Sequence, residues 1–351
     1  MTKKLKVGII GCGGIANGAH MPGYARLADK VELYAACDII PERAERAKEQ
    51  YDMKYMFEDF NEMLELDELD IISVCTPNDV HNPAAIAALK AGKHVLCEKP
   101  LARTPEEGRE IIEEAEAAEK KGQKFTVGYM TRFGADTMLL KKMIDNGDLG
   151  DIYWARASYL RRRGVPTWGV FMDKEKQGGG PLIDIGTHIL DLTLWLMDNY
   201  EPVTVLGSSY DYLGKQGGLG MGNRPWTGEE FEVEDFATGL ITFKNGATVT
   251  LEASWALNIE EEVHNVVLSG TKAGAETHPM RVNGVKHDRM YTWAPKELRQ
   301  QEKLHFLEIE HFVDCILKDE QPMVTGRQAL VVTEILDAIY RSAATGKAIE
   351  L

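Results

Sequence analysis

Short apolar runs, separated by polar stretches of helical character, organise the first 130 residues of the chain. The six runs are LKVGII (5–10), VELYAACD (31–38), YMF (55–57), DIISVCT (70–76), HVLCEKP (94–100) and FTVGYM (125–130). Continuous apolar runs are typical of strands buried on both faces, and their alternation with helices is typical of right-handed βαβ units. The pattern predicts a doubly wound parallel sheet of about six strands.

The pattern changes after about residue 150, where strand-like segments follow one another with few helices between them. These segments are 152–160, 203–213, 236–255, 263–270 and 281–293. Asn245-Gly246 and Asn283-Gly284 are signals for two-residue hairpin turns, which join antiparallel strands. We therefore predict a large, open, mostly antiparallel sheet. One helix at 189–197 interrupts it, and helical stretches at 298–318 and 327–345 follow it.

The length of 351 residues predicts about two domains, at roughly 150 residues per domain. The change of pattern places the first domain at 1–128 and the second, also α/β, at 129–351. The last two helical stretches could dock back on the first domain.

Charge argues against two classes of partner. Lys and Arg number 40 and Asp and Glu number 55, so the net charge is −15. Nucleic acids and anionic membrane surfaces attract basic proteins, so we expect neither as a partner. No stretch approaches the 18 or so uninterrupted apolar residues of a membrane-spanning helix.

Five cysteines occur at scattered positions without a CxxC pair. Their odd number and their apolar surroundings predict a reduced compartment, hence the cytoplasm, and no structural zinc. The N-terminal lysines and the apolar run after them resemble the start of a signal peptide. That run is short and broken by glycines, so we expect it to belong to the fold.

A glycine loop, G-C-G-G-I-A (11–16), follows the first predicted strand and opens a helix. Gly11 allows the tight turn, Gly13 lets the backbone approach a diphosphate group, and Ala16 permits close packing of the helix on the strand. The helix N-terminus presents unpaired N–H groups to the phosphates. In this context the loop predicts a dinucleotide site.

Asp38 ends the second predicted strand, 22 residues after Ala16. A carboxylate there accepts hydrogen bonds from both hydroxyls of the adenosine ribose and repels a 2′-phosphate, so NAD is favoured over NADP. Arg43 lies nearby and could meet a 2′-phosphate. The alternative interpretation of Asp38 is an N-cap for the helix that begins at Pro41.

Polar residues follow the fourth and fifth predicted strands, where doubly wound sheets bind their ligands. A lysine at the end of a buried strand is unusual unless it has a task or a partner. Lys99 could hydrogen-bond a substrate hydroxyl or carbonyl group. An ion pair of Lys99 with Glu98 or with another acidic residue explains it equally well.

The helix that starts after Gly178-Gly179-Gly180-Pro181 carries four polar or aromatic residues on one stripe. They are Asp184, His188, Asp191 and Trp195, at positions i, i+4, i+7 and i+11. Such a stripe on an apolar helix must face water, a partner or a cavity. His188 is suited to accept a proton from an alcohol. The alternatives are that His188 is a core histidine bonded to Asp184 or that it is a zinc ligand.

These motifs together resemble the glucose–fructose oxidoreductase / inositol dehydrogenase / rhizopine-catabolism (Gfo/Idh/MocA) family over nearly the whole chain. The motifs that carry the resemblance are G-C-G-G-I-A, C-T-P-N-D-V-H (75–81), E-K-P (98–100) and G-G-G-P-L-I-D-I-G-T-H (178–188). The family implies an N-terminal Rossmann domain and a C-terminal α/β domain with an open antiparallel sheet. The outer face of that sheet commonly forms dimer or tetramer contacts, so we expect a homodimer or homotetramer.

The resemblance also implies roles for individual residues. The catalytic group would be Lys99, Asp184 and His188, and the peptide bond Lys99–Pro100 would be cis. The cofactor-binding residues would be Gly11, Gly13, Gly14, Ile15, Ala16, Asp38, Thr76, Pro77, Asn78, His81, Glu98 and Lys99. The substrate-binding residues would be Lys99, Tyr129, Arg132, Trp168, Asp184, His188 and Asp191.

Trp168 belongs to a segment, RRRGVPTWG (161–169), that could cover the pocket and stack on a sugar face. An interface loop is an equally good interpretation, and the three arginines could instead bind an acidic sugar or pair with acidic residues of the chain.

The leading functional hypothesis is an NAD-dependent dehydrogenase that acts on a secondary hydroxyl group of a sugar, glycoside or cyclitol. His188 would take the proton, Asp184 would orient it, and Lys99 would bind the same oxygen. Two alternatives stay open. One is a glycoside-cleaving enzyme that recycles NAD on the protein, and the other is an NAD-binding sensor without turnover.

Overall fold

The computed structural model describes residues 4–298 and 302–351. The chain divides into two compact units. The first unit comprises Met1–Met130 and Glu302–Leu330, and the second unit comprises Thr131–Gln301 and Val331–Leu351. Within the described ranges, no helix combines the length and the apolar character that crossing a membrane requires.

The first unit is built on a parallel sheet of six strands in the order β3-β2-β1-β4-β5-β6. The strands are β1 Leu5–Ile10, β2 Val31–Cys37, β3 Tyr55–Phe57, β4 Ile71–Val74, β5 His94–Cys97 and β6 Phe125–Val127. The order reverses between β1 and β4, which makes the carboxyl ends of these two strands the ligand-binding edge of a doubly wound sheet. The predicted parallel sheet is confirmed.

Ten α-helices are described in the two ranges. They are α1 Met21–Ala25, α2 Pro41–Tyr51, α3 Phe60–Leu64, α4 Asn78–Lys90, α5 Pro105–Glu119, α6 Ala135–Asp145, α7 Lys174–Gln177, α8 Thr187–Met197, α9 Leu304–Lys318 and α10 Gly326–Thr345. The apolar face of α9, with Ile309, Phe312 and Val313, is buried in the core of the first unit. That core also holds Val7 and Ile9 of β1, so α9 is an integral part of the unit.

The second unit contains a nine-stranded sheet. The remaining strands of the chain are β7 Ile152–Leu160, β8 Pro202–Tyr210, β9 Gly218–Leu219, β10 Pro225–Trp226, β11 Phe236–Phe243, β12 Thr248–Ser254, β13 Val263–Gly270, β14 Ala273–Thr277, β15 Met280–Lys286, β16 Arg289–Trp293 and β17 Ile349–Glu350. The order of the large sheet is β16-β15-β14-β13-β7-β12-β11-β8-β17, and among the strand pairs in the described ranges only β12–β7 is parallel. The predicted open, mostly antiparallel sheet is confirmed.

The helix predicted to start after Pro181 and to run through 189–197 is confirmed. A π-helical segment, Leu182–Gly186, leads directly into α8. Every residue of α8 up to Leu196 is buried, and the helix packs on β7 and β13. A helix that is apolar nearly all round is stable only when it is covered on most sides, as here.

The turn predicted at Asn283-Gly284 is wrong. Both residues lie inside β15, and the hairpin to β16 turns at His287 and Asp288, whose φ angles are 52° and 60°. Gly284 is opposite Tyr291, and a Cβ atom on it would lie 2.7 Å from the phenol oxygen. The glycine therefore makes room for a ring across the strand pair, while the two left-handed residues form the turn.

Candidate active site

The glycine loop after β1 has the geometry of a phosphate cradle. Gly11 has φ +88°, and a Cβ atom there would lie 2.7 Å from the carbonyl oxygen of Cys75. A Cβ atom on Gly13 or Gly14 would meet nothing within 4 Å, so the space beside the loop is open. Ala16 is fully buried at the start of the helix, as close packing requires. The tight turn and the open space beside it fit a dinucleotide diphosphate, and contact of these residues with a cofactor stays a prediction.

Asp38 follows β2 and is tied to the glycine loop. Its Oδ2 accepts a hydrogen bond from the backbone N–H of Cys12 at 2.8 Å, and its Oδ1 accepts one from Ile40 at 2.9 Å. The N-cap residue of α2 is Ile40, so the interpretation of Asp38 as that N-cap is wrong. The carboxylate is fixed beside the loop, where a ribose hydroxyl can reach its remaining acceptor positions.

The segments after β4 and β5 are joined through His81. Its Nδ1 lies 2.8 Å from the carbonyl oxygen of Pro100, and its Nε2 lies 3.1 Å from that of Thr76. The peptide bond Lys99–Pro100 is cis, as the family resemblance implied. Burial lowers the pKa of His81, against the opposing effect of its bond to Pro100. The ring therefore braces the two strand ends that carry the predicted cofactor contacts.

The buried Glu98 carboxylate forms hydrogen bonds with two residues of the first unit. Its Oε1 lies 2.9 Å from Nε2 of His20, and its Oε2 accepts the backbone N–H of Lys99 at 3.1 Å. Burial alone would raise the pKa of Glu98, but the hydrogen bond and charge of His20, with the charges of His305 and Lys99, lower it to about 2. Glu98 is therefore a carboxylate at neutral pH, engaged with protein groups.

Sequence reasoning missed His20 and His305 in the first unit. His20 is fully buried in the π-helical turn Ala16–His20 that leads into α1. His305 lies in the first turn of α9, within electrostatic reach of Glu98 and Lys99, and burial lowers its pKa. A lone histidine just after a glycine loop was the available signal for His20. Nothing in the sequence indicated that α9 brings His305 to this region.

Asp184 and His188 lie in the second unit, on the π-helical segment and the first turn of α8, and both are buried. The segment is anchored at its start by Glu234, which sequence reasoning missed. The Glu234 carboxylate accepts the backbone N–H of Gly180 at 2.8 Å and of Leu182 at 3.0 Å, and the Tyr340 hydroxyl at 2.9 Å. This anchor fixes where the helix carrying the predicted acid–base residues begins.

Trp255 contacts Asp184 directly. Its indole N–H donates to Oδ2 of Asp184 at 3.1 Å, and its ring is fully buried. Phe171 packs edge-on against Trp255, with ring centroids 6.3 Å apart. Trp168 packs edge-on against Phe171 at 5.9 Å and is 43% exposed. An aromatic line therefore runs from the surface segment at 161–169 to the Asp184 carboxylate.

Asp191 and Trp195, the second half of the predicted stripe, lie beside a buried arginine. The Asp191 carboxylate forms a bidentate ion pair with Arg132, with Nε···Oδ2 2.9 Å and Nη2···Oδ1 2.5 Å, and both side chains are fully buried. The Tyr200 hydroxyl accepts a further bond from Arg132 at 3.3 Å, and the guanidinium lies over the ring of Trp195. Contact of Arg132 and Asp191 with substrate stays a prediction.

Replacing Trp255 by phenylalanine should lower kcat by about 10- to 100-fold, because Asp184 loses a hydrogen-bond donor and a hydrogen bond to a charged group contributes about 1.5–3 kcal/mol. The ring volume is largely kept. Steady-state kinetics at saturating NAD measure the effect. Trp226→Phe is the matched control, since it removes an indole N–H bond to the carbonyl oxygen of Gly214 in the same unit. Equal losses of kcat in the two variants would contradict a role for Trp255 at Asp184.

Comparison with known proteins places the two units in a defined class. A family profile described as oxidoreductase family, NAD-binding Rossmann fold (GFO_IDH_MocA), matches residues 5–129. A second profile, the C-terminal alpha/beta domain of the same oxidoreductase family, matches residues 141–351. The fold and these matches define an NAD-binding, two-domain oxidoreductase. The chain belongs to the Gfo/Idh/MocA family, as its motifs indicated.

Individual relatives agree with this class. D-glucoside 3-dehydrogenase of Escherichia coli (strain K12) is 37% identical over 351 residues, which are 100% of this chain and 98% of the relative. Levoglucosan dehydrogenase of Pseudarthrobacter phenanthrenivorans is 30% identical over 277 residues, covering 72% of this chain and 68% of the relative. The crystal structure of an oxidoreductase domain protein from Kribbella flavida superposes with a TM-score of 0.87 at 25% identity, covering 99% of each chain.

Proposed function

We propose that this oxidoreductase is an NAD-dependent dehydrogenase that oxidises a secondary hydroxyl group of a sugar, glycoside or cyclitol, with glucosides oxidised at carbon 3 as the first substrate class to examine. Similarity over the whole chain to a D-glucoside 3-dehydrogenase supports this class. One observation of the site carries the proposal. Asp184, held by the indole N–H of Trp255, and His188 lie four residues apart on one buried helical segment, a spacing that supports an acid–base pair acting on one substrate group.

The proposed chemistry couples removal of a proton to transfer of a hydride. Bound NAD would supply the nicotinamide that accepts a hydride from the carbinol carbon. His188 takes the proton of the hydroxyl group, and Asp184 orients the ring and stabilises its positive charge. Lys99 donates a hydrogen bond to the same oxygen and stabilises the negative charge that develops there. The products are the ketone, NADH and a proton held by His188.

The cofactor assignment within the first unit is also part of the proposal. The loop at 11–16 holds the diphosphate, and the Asp38 carboxylate accepts hydrogen bonds from the ribose hydroxyl groups. The remaining proposed contacts are Thr76, Pro77, Asn78, His81 and Lys99. The carboxylate of Glu98 already binds His20 and the Lys99 N–H, which supports an indirect role for it.

The exposure of the proposed substrate-binding residues supports different roles for them. The half-exposed ring of Trp168 supports stacking on a sugar or on the group that it carries. Tyr129, Arg132 and Asp191 are fully buried, which supports a role in shaping and fixing the site.

The test is a panel of candidate substrates with NAD, followed by the absorbance of NADH. The panel contains methyl and aryl glucosides, disaccharides, free aldoses, anhydrosugars, myo- and scyllo-inositol and sugar acids. We expect turnover with one class, the glucosides, and a keto sugar as the product by NMR. Glycoside cleavage without net NADH would favour the enzyme that recycles its cofactor. Bound NAD with no conversion of any substrate would favour a sensor.

Asp38→Ala should weaken NAD binding and raise the preference for NADP relative to NAD by about tenfold, the effect of about 1.4 kcal/mol. The variant loses the acceptor for the ribose hydroxyls and the charge that repels a 2′-phosphate. Kd values for the two oxidised cofactors, from calorimetry, measure it. Asp38→Asn is the matched control that keeps an acceptor for Ile40 while removing the charge. An unchanged ratio in both variants would show that another group reads the ribose.

We also propose that the protein forms a homodimer or homotetramer through the outer face of the nine-stranded sheet. Leu206 of β8 lies opposite Leu240 of β11, and both are more than 40% exposed. Tyr210, at the end of β8 on the same face, is exposed to a similar degree. Burying this apolar row against a second copy is favourable. Light scattering of the native protein and of Leu240→Glu tests the assembly, and a monomeric native protein would contradict it.

A further inference from the structure

A continuous line of buried hydrogen bonds runs through the first unit to the backbone of Lys99. The Tyr24 hydroxyl lies 2.9 Å from Oγ of Ser73, and Ser73 Oγ lies 3.2 Å from Nδ1 of His20. His20 Nε2 lies 2.9 Å from Oε1 of Glu98, and Glu98 Oε2 accepts the Lys99 N–H at 3.1 Å. We call these five residues the Tyr24–Lys99 line. They connect α1, β4 and the end of β5.

The chemistry of the groups fixes the direction of the bonds to Glu98. Glu98 is ionised and can only accept, so Nε2 of His20 carries a hydrogen and donates. The hydroxyl groups of Ser73 and Tyr24 complete the line, since each hydroxyl can donate one hydrogen bond and accept others. Every side chain in the line thus has a hydrogen-bond partner. A network that is complete in this way fixes the position of each member.

Burial of the polar groups in this line has a cost in the free energy of folding. Tyr24, Ser73 and His20 are fully buried, and Glu98 is 6% exposed. Burying polar groups and a carboxylate costs free energy even when they are paired, and apolar residues of similar volume would pack there without that cost. Gly128 also leaves room for Glu98, since a Cβ atom on Gly128 would lie 3.3 Å from Cδ of Glu98. The surroundings thus hold the carboxylate in one place.

We propose that His20 and Glu98 are positioning residues for Lys99: His20 fixes the Glu98 carboxylate, and that carboxylate, through the Lys99 N–H, fixes the backbone that carries the Lys99 side chain. The inference rests on the proposed role of Lys99 at the reacting oxygen. Small displacements of a catalytic group lower the rate strongly, by about 100-fold for 1 Å. The line therefore connects the helix after the glycine loop to the lysine of the E-K-P segment.

A double-mutant cycle tests the proposal. His20→Leu alone should lower kcat by about 10- to 100-fold, with the Kd for NAD changed less than threefold, as expected for lost positioning. In the background of Lys99→Met the same substitution should have no further effect, because a residue that acts through Lys99 costs nothing once Lys99 is removed. His20→Gln keeps a donor for Glu98 and should restore most of the rate.

Additional variants separate this role from a general loss of stability. His94→Gln is the matched control, because His94 lies at the start of β5 and accepts the Lys124 N–H at 3.0 Å. It should lower stability without lowering kcat. If His20→Leu does not fold, Glu98→Gln in the native and Lys99→Met backgrounds completes the same cycle. Multiplicative effects of the His20 and Lys99 substitutions, or no effect of His20→Leu, would overturn the proposal. A fully active Lys99→Met would instead refute the proposed function.

Discussion

Replacing His188 by alanine should lower kcat by about 100-fold or more, the usual cost of losing a general base. The proton of the substrate hydroxyl then has no acceptor at this position. The binding of NAD should be unchanged, since the glycine loop and Asp38 lie in the other unit. Stopped-flow absorbance of NADH under single-turnover conditions measures the chemical step itself.

Two comparisons make this result specific to His188. His287→Asn changes an exposed histidine of the β15–β16 turn in the same unit and should leave kcat unchanged. Raising the pH should recover part of the rate of His188→Ala, because hydroxide replaces the missing base. Turnover like that of the native enzyme would remove His188 from the proposed role. A native enzyme inactive on every substrate would refute the proposed function instead.

The fold was largely predictable because its dominant patterns are local. Buried parallel strands are continuous apolar runs, and the glycine loop between β1 and its helix is a fixed local conformation. Asn245-Gly246 forms the turn between β11 and β12, with Gly246 at φ +86°. The same dipeptide at Asn283-Gly284 does not form a turn. Gly284 instead makes room for the Tyr291 ring on the neighbouring strand, a contact that the local sequence does not reveal. β14, which the patterning missed, is composed of Ala, Gly, Glu and Thr with little apolar signal.

The site was predictable where motifs are contiguous and not where partners are distant in sequence. The E-K-P segment and the spacing of Asp184 and His188 are visible in the chain. Their partners are not, since His20 is 78 residues from Glu98 and Trp255 is 71 residues from Asp184. Asp191 shows the same limit. Its place on a polar stripe predicted that it faces water, a partner or a cavity, but the sequence does not identify its ion-pair partner Arg132, which lies 59 residues away.

Replacing Asp191 by asparagine should lower the free energy of unfolding of the second unit by about 3–5 kcal/mol, because it leaves the guanidinium of Arg132 buried without its counter-charge. Burial raises the pKa of Asp191, against the lowering by Arg132, so the pair itself is costly to bury. All six tryptophans lie between residues 154 and 293, so urea denaturation followed by tryptophan fluorescence reports on this unit. A midpoint equal to that of the native protein would contradict the argument.

A double variant separates the stabilising role of the pair from a role toward substrate. Arg132→Met with Asp191→Leu removes both charges and keeps most of the volume, so it should recover most of the stability lost in Asp191→Asn. Full activity in this stable variant would show that the pair only supports α8 and the residues before it. Retained NAD binding with a large increase in KM would support the direct contact between Asp191 and the substrate that the family resemblance implied. The unfolding free energy thus measures the structural role of the pair, and KM measures its contact with the substrate.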